Sequence, residues 1–236
     1  MYKIYDKKII VEDKGLFRCL PLLGWGSQGD VYKIRIGKEF FALKVFNGIE
    51  KENIENYESK LDLNIDSYVS PIKLLYVCGR FNGYLMRYCS GNDLSIRKLD
   101  ISINEFAEST VKLREDTQKL SLKKYNIYDA FISNGMYDEG FRMIDIDRYP
   151  YTPNKSVEEI EKINNTRLNL FLNDVFERNT GISLVNDKYI KDLIKKCKNG
   201  DILFEEVFNI ICMMAYNEAD RELTNVSEVG KVLVKK

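Results

Sequence analysis

Three groups of residues in this chain have types and spacings that suit phosphate chemistry. The first is Gly24-Trp25-Gly26-Ser27-Gln28-Gly29-Asp30-Val31, a G-x-G-x-x-G-x-V run. Glycines at that spacing let the backbone close over a phosphate, because no Cβ blocks the approach. The second is Lys44, inside the apolar stretch Phe41-Ala42-Leu43-Lys44-Val45-Phe46. A lysine on that strand could reach the same phosphates from the side, and its apolar setting calls for a buried anionic partner. The third is Asp129, followed five residues later by Asn134 and eleven residues after that by Asp145. These would set three oxygen-bearing side chains around one point. Mg2+ prefers such hard donors and shares them with substrate phosphates. One Asp could then accept a hydroxyl proton while the Asn and the other Asp hold metal.

Composition narrows the chemistry further. The chain has 236 residues, 44% of them apolar, enough to bury a real core in one domain or two lobes. It contains no histidine, which excludes Ser-His-Asp triads and His-ligated zinc and leaves a carboxylate, Lys, Tyr or Cys as any base. The 36 basic and 36 acidic residues cancel, so no strong field points to nucleic acid or to an anionic membrane. Five dispersed cysteines (Cys19, Cys78, Cys89, Cys197, Cys212) with no C-x-x-C pair suggest reduced, mostly buried thiols. Residues 1–8 lack the apolar segment of a secretory signal, and the late run Ile210–Tyr216 is too short to span a bilayer. A cytoplasmic protein with no membrane partner is expected.

The elements that must position these residues are legible in outline. Residues 1–46 read as β-rich: Cys19–Gly24 enters the glycine turn, Asp30–Ile36 alternates, and Gly37-Lys38 turns into Glu39–Phe46. Ile54, Glu58, Leu61 and Ile65 fall at helical spacing and predict a helix over 51–65. Strands follow at Ile72–Val77 and Gly83–Tyr88, with Cys78–Asn82 as a loop. Ser90-Gly91-Asn92-Asp93 marks a boundary, which divides the chain into a β-rich part over 1–89 and a helical part over 90–236. The latter begins with a helix over 104–120 carrying a capping signature at Ser102 and Glu105. A β-like region covers 127–147, Pro150 and Pro153 mark a loop, and helices are expected near 157–178, 187–197 and 203–220.

Over about residues 20–150 the sequence resembles the protein-kinase-like superfamily. Gly24, Gly26, Gly29 and Val31 match the family's glycine-rich loop, and Ala42-Leu43-Lys44 matches its V-A-I-K lysine. The resemblance implies an α+β, two-lobed fold: an N-terminal antiparallel sheet with one helix, then a mostly helical C-terminal lobe. It implies ATP and Mg2+ as cofactors. Lys44 would pair with the phosphates and with a helix glutamate, Glu58 or, as runner-up, Glu55. Ser27 would lie in the phosphate loop and Ala42 against the nucleotide. Tyr84–Gly91 looks like the hinge strand and linker, so that Met86 would be the gatekeeper, the Arg87-Tyr88-Cys89 backbone would bind adenine, and Asp93 would reach the ribose. Asp129 and Asn134 match the D-x-x-x-x-N of the catalytic loop, and Asp145 matches the metal-binding Asp of D-F-G.

The departures bear on activity. Ile127-Tyr128-Asp129 replaces H-R-D, and Phe131 stands where the family has a lysine two residues after the catalytic Asp. Loss of a preorganised donor of that kind costs on the order of 10²–10³ in rate unless another cation substitutes; Arg148, Lys123 and Lys124 are the candidates. Asp145-Ile146-Asp147 replaces D-F-G, closer to the I-D-x-D of small-molecule and atypical bacterial kinases, and Asp147 reads as a plain loop residue or a second metal ligand. The expected function is phosphoryl transfer from ATP to a hydroxyl of a protein or small molecule, with Asp129 as base. The alternative is a pseudokinase, a nucleotide-binding module with little or no transfer.

Overall fold

Alternating apolar residues build the first part of the chain into a sheet. The computed structural model describes residues 2–48, 54–61 and 63–234. The chain is α+β and divides into two compact units: Met1–Ser90 together with Asp145–Asp147, and Gly91–Ile144 together with Arg148–Lys236.

The first unit holds strands β1 (Tyr2–Ile4), β2 (Lys8–Val11), β3 (Leu22–Trp25), β4 (Gly29–Ile36), β5 (Glu39–Phe46), β6 (Pro71–Val77) and β7 (Arg80–Arg87). They form one seven-stranded sheet in the order β1-β2-β6-β7-β5-β4-β3. The expected antiparallel sheet is in fact mixed, because β2 pairs with β6 in parallel. Side chains alternate across β5. Leu43 joins Ile9, Val11, Phe17, Ile34, Leu75, Val77 and Leu85 in the core on one face, with Phe41 and Val45 packed against it. Lys44 therefore points to the other face with Ala42 and Phe46. There Phe46 packs on Tyr57, Phe81 and Tyr84.

Three further expectations about this unit change. Cys19 ends a 3-10 turn over Lys14–Cys19 and belongs to no strand. The helix expected over 51–65 is confined, within the described residues, to α1 (Ile54–Glu58); residues 51–53 and 62 lie outside them. Beyond Glu58 the amides of Lys60, Leu61 and Leu63 bond three residues back, and Asn64 turns left-handed at φ 44°, so the α-helical ladder is not propagated. Cys78-Gly79 is a two-residue turn with both residues at positive φ, so β7 starts at Arg80 and not at Gly83.

The second unit contains α2 (Ile103–Leu122), the strands β8 (Asn92–Asp93), β9 (Gly135–Tyr137) and β10 (Phe141–Met143), then α3 (Val157–Thr180), α4 (Lys188–Asn199), α5 (Phe204–Ala219) and α6 (Val226–Leu233). Ser102 caps α2 with Glu105 in a reciprocal box, as its sequence signature predicts. Phe106 sits at the centre of the core, with rings of Phe141, Phe176, Phe204 and Phe208 around it. Of the cysteines, Cys89, Cys197 and Cys212 are buried, Cys19 and Cys78 are exposed, and all are free thiols. Among the described residues no helix is long and apolar enough to cross a membrane.

The α6 helix has no counterpart in the sequence expectations. Its start is fixed by Glu228, whose Oε2 accepts from the Thr224 and Asn225 amides and whose Oε1 accepts from Arg221 Nη2 at 2.6 Å. The Arg221 hydrogen bond, aided by those amides, draws the Glu228 carboxyl down to about 2. A depressed carboxyl contributes stability that is present above its ordinary value and lost as pH falls through the folded-state value. Unfolding free energy measured by urea titration should accordingly fall as pH drops from about 4.5 to about 2, and Glu228→Gln should flatten that part of the profile.

Close approach of strands fixes β5 itself. A Cβ on Gly83, whose φ is +148°, would lie 2.0 Å from the Lys44 carbonyl oxygen. Gly83→Ala should destabilise the protein by at least about 2 kcal/mol in urea unfolding, through strain and clash together; a change under 0.5 kcal/mol would contradict this packing.

Candidate functional site

Lys44 is the centre of the candidate site in the first unit. Its side chain is 3% exposed. An ammonium has three N–H donors, and three acceptors surround it: Gln28 Oε1 at 2.9 Å, Asp145 Oδ1 at 3.0 Å and Asp147 Oδ2 at 3.3 Å. The Tyr84 ring centroid lies 5.7 Å away. The bonds to Asp145 and Asp147 span 101 and 103 positions of sequence. They identify the anionic partners that a buried strand lysine requires, one of them buried and one half-exposed.

Strand register collects further expected residues on the face of β5 that carries Lys44. Val31 stands opposite Lys44, Ala42 opposite both Lys33 and Met86, and Lys44 opposite Tyr84. Directly opposed residues point to the same side of a sheet. Val31, Ala42 and Met86 thus form an apolar strip beside the ammonium. Arg87 is exposed, with its guanidinium on the Asp66 carbonyl. Tyr88 is half-buried and packs near Phe40, with Lys33 Nζ 4.1 Å from its ring centroid. Cys89 is buried.

The glycine loop joins β3 to β4. The Gly26 amide bonds the Gly29 carbonyl, while Asn47 pins the loop through its side chain to the Gly26 carbonyl and its amide to the Gln28 carbonyl. Gly29 is required by the fold, since its Cβ would lie 2.2 Å from the Val45 carbonyl oxygen. Gly24 has open space around it, and a Cβ on Gly26 would meet only the Gly29 carbonyl oxygen, at 4.0 Å. Folding alone does not demand glycine at those two positions. Ser27 and Trp25 are exposed at the loop tip, Trp25 at 82%.

The expected pairing of Lys44 with a helix glutamate is not found. The three donors of Lys44 are taken by other acceptors, and both Glu55 and Glu58 are exposed on α1. What α1 supplies instead is Asn56, whose Nδ2 donates to the Asp147 carbonyl at 2.7 Å, followed just past its end by Lys60, whose Nζ donates to the same oxygen at 2.9 Å. Lys60 is fully buried and also bonds Asn56 Oδ1 at 2.6 Å. Burial draws its ammonium down to about 8, although the charge of Asp147 acts the other way. The Asp147 carboxyl is raised above the usual range, chiefly by burial, with Lys44 opposing. Asp145 sits at φ 56°, left-handed backbone that Asp tolerates better than most residues, and from there both carboxylates converge on Lys44.

Asn56, Lys60 and Gln28 escaped the sequence reading, and Asp147, read there as a loop residue or second metal ligand, is instead a partner of Lys44. Only Asp147 had a usable signal, the two-residue repeat of Asp around Ile146. A lysine and an asparagine beside a short amphipathic helix look like solvated residues.

In the second unit, Asp129 and Asn134 come together. Asn134 Nδ2 donates to the Asp129 carbonyl at 3.0 Å, and the Asn134 carbonyl accepts from the Ile144 amide. Arg148 Nη1 lies 3.9 Å from Asp129 Oδ2. Lys124 is directed to the Lys155 carbonyl. Phe131 is 61% exposed, and Ile127 is buried. Asp93, also in this unit, uses Oδ1 to accept from the amide and hydroxyl of Ser95, as a turn-forming Asp does.

Among the described residues no group of three or more Asp, Glu, Cys or His side chains is placed to hold a metal ion. Mg2+ does not need one, since it binds through one or two carboxylates plus phosphate oxygens and waters. Asp145 suits that role. Its side chain is 38% exposed, one oxygen is on Lys44, and Oδ2 has no hydrogen-bond partner among the described residues. Asn134 likewise retains Oδ1, a hard neutral donor. No family model and no curated protein matches the chain.

The loop bearing Asp129 is held from below by Asn164 of α3. Its Oδ1 accepts from the Ile127 amide at 2.7 Å, and its Nδ2 donates to Ser121 Oγ and to the Tyr125 carbonyl. Asn164→Ala would leave these buried groups unsatisfied at about 1–3 kcal/mol each. We expect a total loss on the order of 3 kcal/mol in urea unfolding, together with faster hydrogen exchange at the Ile127 amide; unchanged exchange there would refute this support.

Proposed function

We propose that the chain is an ATP- and Mg2+-dependent phosphotransferase similar to the protein-kinase-like superfamily, moving a γ-phosphate to a hydroxyl of a protein or small molecule. The observation that carries this reading is the meeting of Lys44 with Asp145. One lies on a strand beside a glycine loop and the other 101 residues away, and the two side chains bond at 3.0 Å. A buried cation and a half-exposed carboxylate with a spare oxygen match what a metal-bound triphosphate needs. The apolar strip of Val31, Ala42 and Met86 suits a flat base, and Gly24 and Gly26 leave room for phosphates to approach the backbone.

In this reading Lys44 would bind phosphate oxygens and Asp145, in the same unit, would offer its spare oxygen to the metal. Mg2+ supplies charge neutralisation on the phosphates. Asp129 orients the acceptor hydroxyl and takes its proton, and Arg148 beside it provides the cation that Phe131 lacks. A second reading, nucleotide binding without transfer, is favoured by one observation: Ile127 is buried and Phe131 is apolar, so Arg148 at 3.9 Å is the cation recorded beside Asp129 among the described residues.

Trp25 is the single tryptophan and sits on the glycine loop, so its fluorescence should change on titration with Mg-ATP. Saturation a hundredfold over Kd should stabilise the fold by about 2.7 kcal/mol. Neither response in the wild type would end both nucleotide readings. Asp129→Asn should lower transfer by roughly 10²-fold or more while leaving Kd unchanged, and Asp145→Asn should weaken binding only when Mg2+ is present. Mg-ATP binding with no turnover on protein or small-alcohol acceptors would favour the second reading.

A further inference from the structure

We propose that Asp147 is the permanent carboxylate partner of Lys44, and that α1 sets the position of Lys44 through the Asp147 backbone. Asp147 is thereby a positioning residue of the nucleotide site. This inference rests on the assignment of Lys44 to a phosphate and adds how that lysine is held.

Burial separates the three partners of Lys44. The Asp147 side chain is 2% exposed, against 38% for Asp145, and Gln28 is half-buried on the glycine loop. A ligand arriving from solvent can displace only partners it can reach. Gln28 and Asp145 are the exchangeable pair: a phosphate oxygen can take the hydrogen bond now accepted by Gln28 Oε1, and Asp145 can turn to a metal. Asp147 stays behind, and a charge-assisted bond at 3.3 Å keeps the ammonium aimed and compensated while the others change.

Asp147 is in turn fixed from α1. Its carbonyl accepts both Asn56 Nδ2 and Lys60 Nζ, and Asn56 Oδ1 accepts a further bond from Lys60. The clamp holds backbone, so it positions the carboxylate without competing for it. Movement of α1 would move Asp147, and Lys44 with it. The helix carboxylates Glu55 and Glu58 take no part, being exposed.

The test compares Mg-ATP affinity, by Trp25 fluorescence or calorimetry, in wild type, Lys44→Met, Asp147→Asn, Asn56→Ala and Glu58→Gln, and in the doubles that join Lys44→Met to each of the Asp147 and Asn56 changes. Asp147→Asn should weaken binding about tenfold or more, and Asn56→Ala by a smaller factor. Both effects should largely vanish in the Lys44→Met background, because they act through that lysine. Glu58→Gln should bind as wild type does. A purely structural Asp147 would give equal effects in both backgrounds, and that result overturns the proposal. If Asp147→Asn does not fold, Asn56→Ala, which keeps both charges, decides by the same criterion. Loss of binding in Lys44→Met with wild-type affinity in Asp147→Asn sinks this inference alone. A wild type that binds no nucleotide sinks it along with the phosphotransferase reading.

Discussion

The constraint on which the first unit depends is the burial of one ammonium. Lys44 is 3% exposed, and an unpaired charge there would cost several kcal/mol. The surrounding features serve to satisfy it. Gly83 lets β7 approach β5 at that point, Asn47 pins the loop that delivers Gln28, and the left-handed turn at Asp145 brings in two carboxylates. Lys60 enters as a second buried ammonium, bonded to the Asp147 carbonyl and to Asn56. Such a cluster is a weak source of stability but a strong source of geometry, since removing any one member leaves an uncompensated charge.

The second unit satisfies its buried backbone mainly with neutral groups. Asn164, Asn169 and Asn179 of α3 are buried and bond backbone outside their own helix. Asn164 reaches the Ile127 amide, Asn169 the Cys197 and Ile202 carbonyls, and Asn179 the Leu99 amide. Arg114 adds three bonds, to Glu205, Asn165 and Asn169. Amides of this kind satisfy irregular backbone that no ladder can reach. The helix therefore orients the loop carrying Asp129 without placing a charge beneath it.

Local patterns were the legible part of the sequence. The strands β4 and β5, the Gly37-Lys38 turn between them and the capping box of α2 each depend on neighbours within a few positions, and each is present as expected. The glycine spacing and the placement of Lys44 belong to the same class. Illegible features were those decided by contacts far along the chain. Helical spacing points to Glu58 as a partner for Lys44, yet the lysine's donors are taken by Gln28 and by two carboxylates more than a hundred positions away. Nothing in the local pattern of α3 distinguishes a surface Asn from one, such as Asn164, that supports a buried loop. The helix over 51–65 failed for a related reason: apolar periodicity continued to Ile65, but the backbone had tightened and Asn64 had turned left-handed.

The absence of histidine limits the choice of base. On the phosphotransferase reading the base is a carboxylate, Asp129. A loose phosphoryl-transfer transition state asks little of a base and much of positioning and of cations around the migrating group. Catalytic power in this chain is then decided by where positive charge is held. Lys44 is held by Asp147, and through it by α1; Arg148 is held by Asp129 itself. On that reading Asp145 would serve the metal and Asp147 would serve Lys44, while Arg148, which follows directly in sequence, would supply beside Asp129 the cation that Phe131 does not.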